Sequence, residues 1–378
     1  MIQELYLDNA ATTKVDASIA SAVVQMLTEN YGNSSSLHKK GVDSWLAIAN
    51  AKKKIAAYLN TQPETISFVS SGSMANSIAI LGVAFASKRW GNKIITSTYE
   101  HDSVLSICRY LATQGFEIIY VNPQKDGKVS PKEISDLVDD HTILVSILSS
   151  NNEVGSRNDI EQICHLIKEI NPKTMVHTDA VQSFGKVNLN VKGTRVDLLT
   201  ASGHKIHAPK GIGVLYTKKN TKLHSIFTGN SQPRDFFPGT ENAPHIHAMG
   251  LATENAQLYL NYNYKHVTHL NSYLREQLNG IDSVYINSDI EALPYILNFS
   301  VLGIRSEILL HYMEQYSVYI SSGSACAKGK KSHVLKALGL SDQRIDSAIR
   351  VSFSKENTVE QLDFFIATLK NAIVTIIK

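Results

Sequence analysis

The stretch "VDLLTASGHKIHAPKGIGVLYT", Val196–Thr217, decides how the rest of the chain is read. An apolar run opens it and stops in a polar cluster of Ser202, His204 and Lys205. A glycine-rich step, "KGIGV", then leads into a second apolar run. The lysine therefore stands at the end of a buried strand, beside a hydroxyl and an imidazole. A lysine in a partly desolvated site loses proton affinity and becomes available as an amine nucleophile.

Similar apolar runs lie upstream: "TISFVSSGS", "KIITST", "FEIIYVN", "TILVSILSS" and "MVHTDAV". Several alternate with helical patterns such as "SVLSICRYLATQG" and "IEQICHLIKEI". Strands apolar on both faces belong to a mainly parallel sheet covered by helices. In "DSWLAIANAKKKIAAYL" the spacing places Trp45, Ile48, Ile55 and Leu59 on one helical face.

From about Ala243 the pattern changes to a long helical stretch, "HIHAMGLATENAQLYLNYNY". The strand "YILNFSV", the helix "SEILLHYMEQY" and the strand "VYISSG" follow. In the closing "NTVEQLDFFIATLKNAIVTII", Val359, Leu362, Ile366, Leu369, Ile373 and Ile376 keep helical spacing. Asn357 or Thr358 is placed to cap that helix. The expected architecture is α/β. A large domain, 15–256, holds a mainly parallel, seven-stranded-type sheet, and a smaller α+β domain is made of 1–14 and 257–378.

The chain has 378 residues, 43% hydrophobic and 19% charged, with a formal net charge of +3. That is ample for a large core. The mild charge excess gives no reason to expect nucleic acid or an anionic membrane as partner. Three cysteines, Cys108, Cys164 and Cys326, do not make a disulfide framework and fit a reducing compartment. No apolar run is long enough to span a bilayer, and the start lacks a signal-peptide pattern, so a cytoplasmic protein is expected.

In an open α/β sheet, ligands sit at the carboxyl ends of the strands. The polar residues ending each apolar run are therefore the candidates. Gly72 and Ser73 open a helix, whose amino end is a ready phosphate site. His101 and the pair Asn151–Asn152 follow strands, and each alone is equally consistent with a turn or surface residue. Asp179 ends a buried strand, with Gln182 three residues on. It is either a helix cap or a carboxylate awaiting a cation, because burial without one is costly.

A phosphate grip, a carboxylate for a ring cation, a stacking histidine and a nucleophilic lysine together describe a pyridoxal phosphate site. Lys205 would hold the aldehyde and Asp179 would keep the ring nitrogen protonated. No G-x-G-x-x-G follows the first strand and no P-loop motif occurs, which argues against nicotinamide or P-loop chemistry. His245 and His247 lack nearby thiolate or carboxylate support, and no metal site is expected.

The motifs "YLDNAATT", "YGNSSSLH", "NNEVG", "HTDAVQSFGK", "SGHKIHAPKGIGVLY", "PGTENAPHI", "ISSGSACAKGKKSHVL" and "SAIRVSFS" run in order from Tyr6 to Ser354. Together they resemble a cysteine desulfurase of the NifS/IscS type, within the fold type I pyridoxal phosphate enzymes. The resemblance implies conversion of L-cysteine to L-alanine, with sulfur taken by Cys326 as a persulfide and passed to an acceptor protein. It implies Lys205 as the Schiff-base lysine, His101 stacked on the ring, and Asp179 at the ring nitrogen. It places Gln182 and Asn152 at the ring hydroxyl or substrate, and Ser73, Ser202 and His204 at the phosphate with Gly72 beside them. Arg350 would bind the substrate carboxylate, with Asn33 near it. Thr240 would reach the phosphate of a neighbouring subunit in a homodimer.

Departures from that pattern are Ser73-Met74 where a Thr-Glu pair is usual, Ser77 where asparagine is common, Phe237 in place of an arginine, and a short stretch after Cys326. Selenocysteine lyase or another β-eliminating enzyme, an ordinary aminotransferase, and a non-catalytic binding relative are the competing readings.

Overall fold

The computed structural model describes residues 4–227, 238–322 and 331–376. Among these the strands, in chain order, are β1 (Leu5–Tyr6), β2 (Ile66–Val69), β3 (Lys93–Ser97), β4 (Glu117–Val121), β5 (Thr142–Ser146) and β6 (Met175–Asp179). They continue as β7 (Leu198–Ser202), β8 (Gly213–Thr217), β9 (Val284–Ile286), β10 (Ile296–Val301), β11 (Val318–Tyr319) and β12 (Ala348–Ser352).

Seven of them form one sheet in the order β2-β8-β7-β6-β5-β3-β4. All neighbours pair parallel except β8, which is antiparallel to both β2 and β7. Strands β5 and β7 are buried at every position, which explains their unbroken apolar character. The expected mainly parallel, seven-stranded-type sheet is thus found with one reversed strand, formed by the antiparallel return after Lys205.

Trp45 departs from the expected helical face. The helix Lys39–Leu59 buries Gly41, Ser44, Ile48, Ala51 and Ile55 instead, and Trp45 is 55% exposed. The buried stripe passes through a small serine because the helix Ala243–Leu258 approaches closely. A Cβ on Gly250 of that helix would lie 2.7 Å from the Ala51 Cα. The long helical stretch after Ala243 is two helices, Ala243–Leu258 and Leu260–Asn279, joined at Tyr259.

A separate apolar cluster gathers Leu5, Leu7 and Ala10 with residues from Val267 to Ala372. It packs around a three-stranded antiparallel sheet, β12-β10-β9, and a parallel pair, β1-β11. The helix Val359–Ile376 lays Leu362, Phe365, Ile366 and Leu369 on this cluster. Its start is a capping box: the Gln361 N–H donates to Thr358 Oγ1 at 3.3 Å and the Thr358 N–H to Gln361 Oε1 at 3.2 Å. Asn357 ties the segment to β1 instead, donating to the Tyr6 carbonyl.

Candidate active site

The carboxyl ends of β2, β3, β5, β6 and β7 converge on a cavity of about 330 Å³. One end is built for an anion. The helix Gly72–Ser87 begins immediately beyond β2, capped by Ser71, whose Oγ accepts from the Met74 N–H. A Cβ on Gly72 would come within 2.8 Å of Val181 Cγ2 and 3.3 Å of Ser202 Cβ. Glycine thus lets the positive end of the helix dipole reach the tip of β7. Ser73, Ser202 and His204 line the cavity at this end. Burial, with the nearby charges of Lys205, Lys210 and Lys186, pushes His204 down to about 4. The imidazole is neutral at pH 7, and the local potential that empties it is one that favours an anion.

The cavity also holds a buried carboxylate. Asp179 is buried and lines the cavity. Its Oδ1 accepts from the Val181 N–H at 2.9 Å and its Oδ2 from Asn76 Nδ2 at 2.8 Å. These are neutral donors. Asn76 also donates to Ser103 Oγ at 3.0 Å and accepts from Thr200 Oγ1 at 2.6 Å. Ser103 Oγ lies 2.8 Å from His101 Nδ1, and that nitrogen accepts from the Ser103 N–H at 3.1 Å. With Nδ1 as acceptor, a neutral ring carries its proton on Nε2. One hydrogen-bond network therefore joins Asp179 to His101.

Lys205 lines the same cavity, on the short 3-10 turn Gly203–Lys205 that closes β7. Its Nζ donates to the carbonyls of Ala10 and Ala11, each at 2.6 Å. Gln182 Nε2 donates to the same Ala10 carbonyl at 3.0 Å.

Arg350 comes from β12 and is 2% exposed. Its Nη2 meets Asp8 at 2.7 Å and its Nη1 donates to the Asn152 carbonyl at 3.0 Å, while Nε is buried without a hydrogen-bond partner among the described residues. Asn152 faces the cavity. Asn151 instead builds the turn, accepting from the N–H groups of Glu153 and Val154.

Two buried carboxyls stand near the site. Glu153 accepts from Ser332 Oγ at 2.5 Å, and burial pushes it up to about 7 against the pull of His333 and Arg350. Glu100, next to His101, accepts from Ser97 Oγ and the Leu148 N–H, and burial raises it to about 8. A carboxyl whose folded pKa exceeds its unfolded value stabilises the fold fully below the unfolded pKa, and that contribution is lost as pH rises through the folded one. Glu100→Gln should therefore gain stability relative to the parent between about pH 4.5 and 8. Urea unfolding at pH 5 and pH 9 checks this, and an unchanged difference counts against a protonated Glu100.

Of the residues expected at the site, Gly72, Ser73, His101, Asn152 and Asp179 line this one cavity. So do Gln182, Ser202, His204, Lys205 and Arg350. Asn33 does not: it is exposed, and its Oδ1 accepts from the N–H and Oγ of Ser35. Thr240 is also exposed. Ser34 Oγ donates to Glu241 Oε2 at 2.8 Å, so these two segments share one surface. Cys326, Lys328, Lys330 and Phe237 lie outside the described residues. Cys108 and Cys164 are buried in apolar clusters, and burial pushes their thiols up to about 12. Met74 packs against apolar residues and Ser77 bonds back to the Ser73 carbonyl, so neither departure faces the cavity.

The donor set fits pyridoxal phosphate. A cavity with a cradle only glycine leaves open, a buried carboxylate met by neutral donors, and an amine on the same lining match its phosphate, its ring nitrogen and its aldehyde. The chain belongs to the aminotransferase class-V family, which it matches over residues 5–365 and which uses this cofactor. Within that family its relatives are cysteine desulfurases. Cysteine desulfurase IscS of Dictyoglomus turgidum is 37% identical over 377 residues, 99% of this chain and 95% of that one. Among solved structures, a NifS-like protein superposes with a TM-score of 0.94 at 33% identity, covering 99% of this chain and all of its own. SspA in complex with cysteine superposes with a TM-score of 0.83 at 29% identity, covering 94% of this chain and 100% of SspA.

Proposed function

We propose that this chain is a pyridoxal phosphate-dependent cysteine desulfurase that converts L-cysteine to L-alanine and takes the sulfur onto Cys326. The observation that carries the reading is the meeting of Lys205, Asp179 and Arg350 around a single cavity with an anion cradle at one end. The cofactor supplies an electron sink for carbanion chemistry at the substrate's α carbon. The chain's own residues do the rest. Asp179 holds the proton of the ring nitrogen. Arg350 lines the cavity and orients the substrate carboxylate, its guanidinium held in place by Asp8 and the Asn152 carbonyl. His101 moves a proton through Nε2.

The Cys326 thiolate attacks the substrate sulfur, so that an S–S bond forms and the carbon–sulfur bond breaks. L-Cysteine and the enzyme thiol become L-alanine and the enzyme persulfide, with no outside oxidant. The acceptor that receives this sulfur is a protein serving iron–sulfur assembly or the thiolation of a cofactor or tRNA. The bound cysteine of SspA supports the substrate.

A homodimer completes the site in this reading. Asn33 and Thr240 lie away from their own cavity, and Tyr31, Trp45 and the 98%-exposed Leu37 offer apolar area for a second copy. The cluster of Leu5, Leu7 and Ala10 with residues from Val267 to Ala372 supports a division into 15–256 against 1–14 with 257–378, although Val334, Leu335, Ile345 and Ala348 pack with the larger part. The low, odd cysteine count supports a cytoplasmic enzyme; among the described residues no helix is long and apolar enough to cross a membrane.

Cys326→Ala tests the thiol's role. Alanine release from cysteine should fall by roughly 10²-fold or more, with cofactor absorption intact, since removal of a nucleophile costs at least that much. Undiminished release refutes the thiol's role. A colourless protein refutes the cofactor, and amino transfer to pyruvate returns the aminotransferase reading. Turnover of selenocysteine that does not need Cys326 favours a lyase.

A further inference from the structure

Lys186 is a second amine at this site, and the reaction above does not use it. It is 6% exposed and stands at the end of the turn that follows β6. Its Nζ lies 3.3 Å from Gln182 Oε1 and 5.4 Å from the centroid of the Tyr295 ring. Among the described residues no carboxylate lies within ion-pair distance of it. A small cavity of about 40 Å³ is lined by Lys186 and Lys205 together. The charged groups facing Lys186 are Lys205 and Arg350; Asp16, His207 and Lys355 line the same small cavity.

Two consequences follow from that position. The Gln182 amide is held by its oxygen from behind, so its NH₂ group is turned to the Ala10 carbonyl, on which Lys205 also rests. And a second amine, positively charged at pH 7 and below for half its time or more, is kept close to Lys205 in a medium that screens it weakly. An ammonium with one neutral acceptor and an aromatic face is a costly thing to bury, and structure alone gains little from it.

We propose that Lys186 is a positioning residue: it fixes the Gln182 amide toward the cofactor and biases the nitrogen of Lys205 toward its unprotonated state. The inference rests on the pyridoxal phosphate reading. Burial, and after it the charges of Lys205 and Arg350, hold Lys186 itself down to about 7, so its charge is present below that pH and fades above it.

The test is the visible absorption of the cofactor-loaded protein, titrated with pH. Lys186→Met and Lys186→Gln remove the charge; Lys186→Arg keeps it. Replacing a poorly paired buried ammonium by a methionine of similar size is often neutral or stabilising, and the glutamine variant provides a second uncharged protein. The midpoint of the absorption change should rise by about one pH unit in the two uncharged variants, the size expected of one nearby charge at intermediate screening. In Lys186→Arg it should stay with the parent. A midpoint unmoved in the uncharged variants, or moved equally in Lys186→Arg, overturns the proposal. A role in packing alone would lower the melting temperature and leave the midpoint in place. A parent protein that shows no cofactor band overturns the cofactor reading itself, which separates the two failures.

Discussion

Alanine release from cysteine should fall by at least about 10³-fold in Lys205→Ala, because a covalent catalytic group has no substitute among its neighbours. The other amine on this side, Lys186, is turned to Gln182 and Tyr295. The variant should still fold. Lys205 sits on a short turn after β7, and its two acceptors, the carbonyls of Ala10 and Ala11, border a cavity that water can enter. Borohydride reduction of the loaded parent, followed by peptide mapping, should place the cofactor on Lys205. A label on another lysine, or turnover that survives the substitution, removes the foundation of the proposed chemistry.

Asp179→Asn is expected to lower kcat by about 10² to 10³, the cost of removing one preorganised electrostatic group from a dry site. Apparent affinity for cysteine should change far less, because the carboxylate faces the cofactor and not the substrate carboxylate, which Arg350 serves. A smaller effect on stability accompanies it. Asp179 accepts from two neutral donors, Val181 N–H and Asn76 Nδ2. An asparagine amide satisfies only one of them, whichever way it is turned. The unmet donor should cost about 1–3 kcal/mol in urea unfolding of the cofactor-free protein. A variant with normal kcat shows that the ring nitrogen needs no carboxylate here.

Much of this site can be read from the sequence because each polar residue interrupts an apolar run. Asp179, Ser202 and Lys205 end β6 and β7, or follow directly, where a buried strand has no structural need for them. Asn76 could not be found that way. It lies in the first turns of the helix Gly72–Ser87, where an asparagine beside Ser73 and Ser77 reads as part of a polar helix start. Ser103, which joins it to His101, reads as part of an ordinary helix start. Asp8 was visible within "YLDNAATT", but its partner Arg350 lies 342 residues away, and local spacing carries no information about such pairs. Trp45 was misplaced because size and hydrophobicity argue for burial, whereas the close helix crossing at Gly250 favours small residues. Asn33 and Thr240 carry motif residues on a surface away from the cavity.

The first dozen residues have a further bearing on how the protein comes into being. Strand β1 and the segment after it pair with β11 and β12, and the carbonyls of Ala10 and Ala11 receive Lys205. The seat for the vitamin-derived group is thus bounded by two segments more than 300 residues apart. A nascent chain on the ribosome cannot complete this pairing until Ser352 has emerged, so the full seat closes late in synthesis.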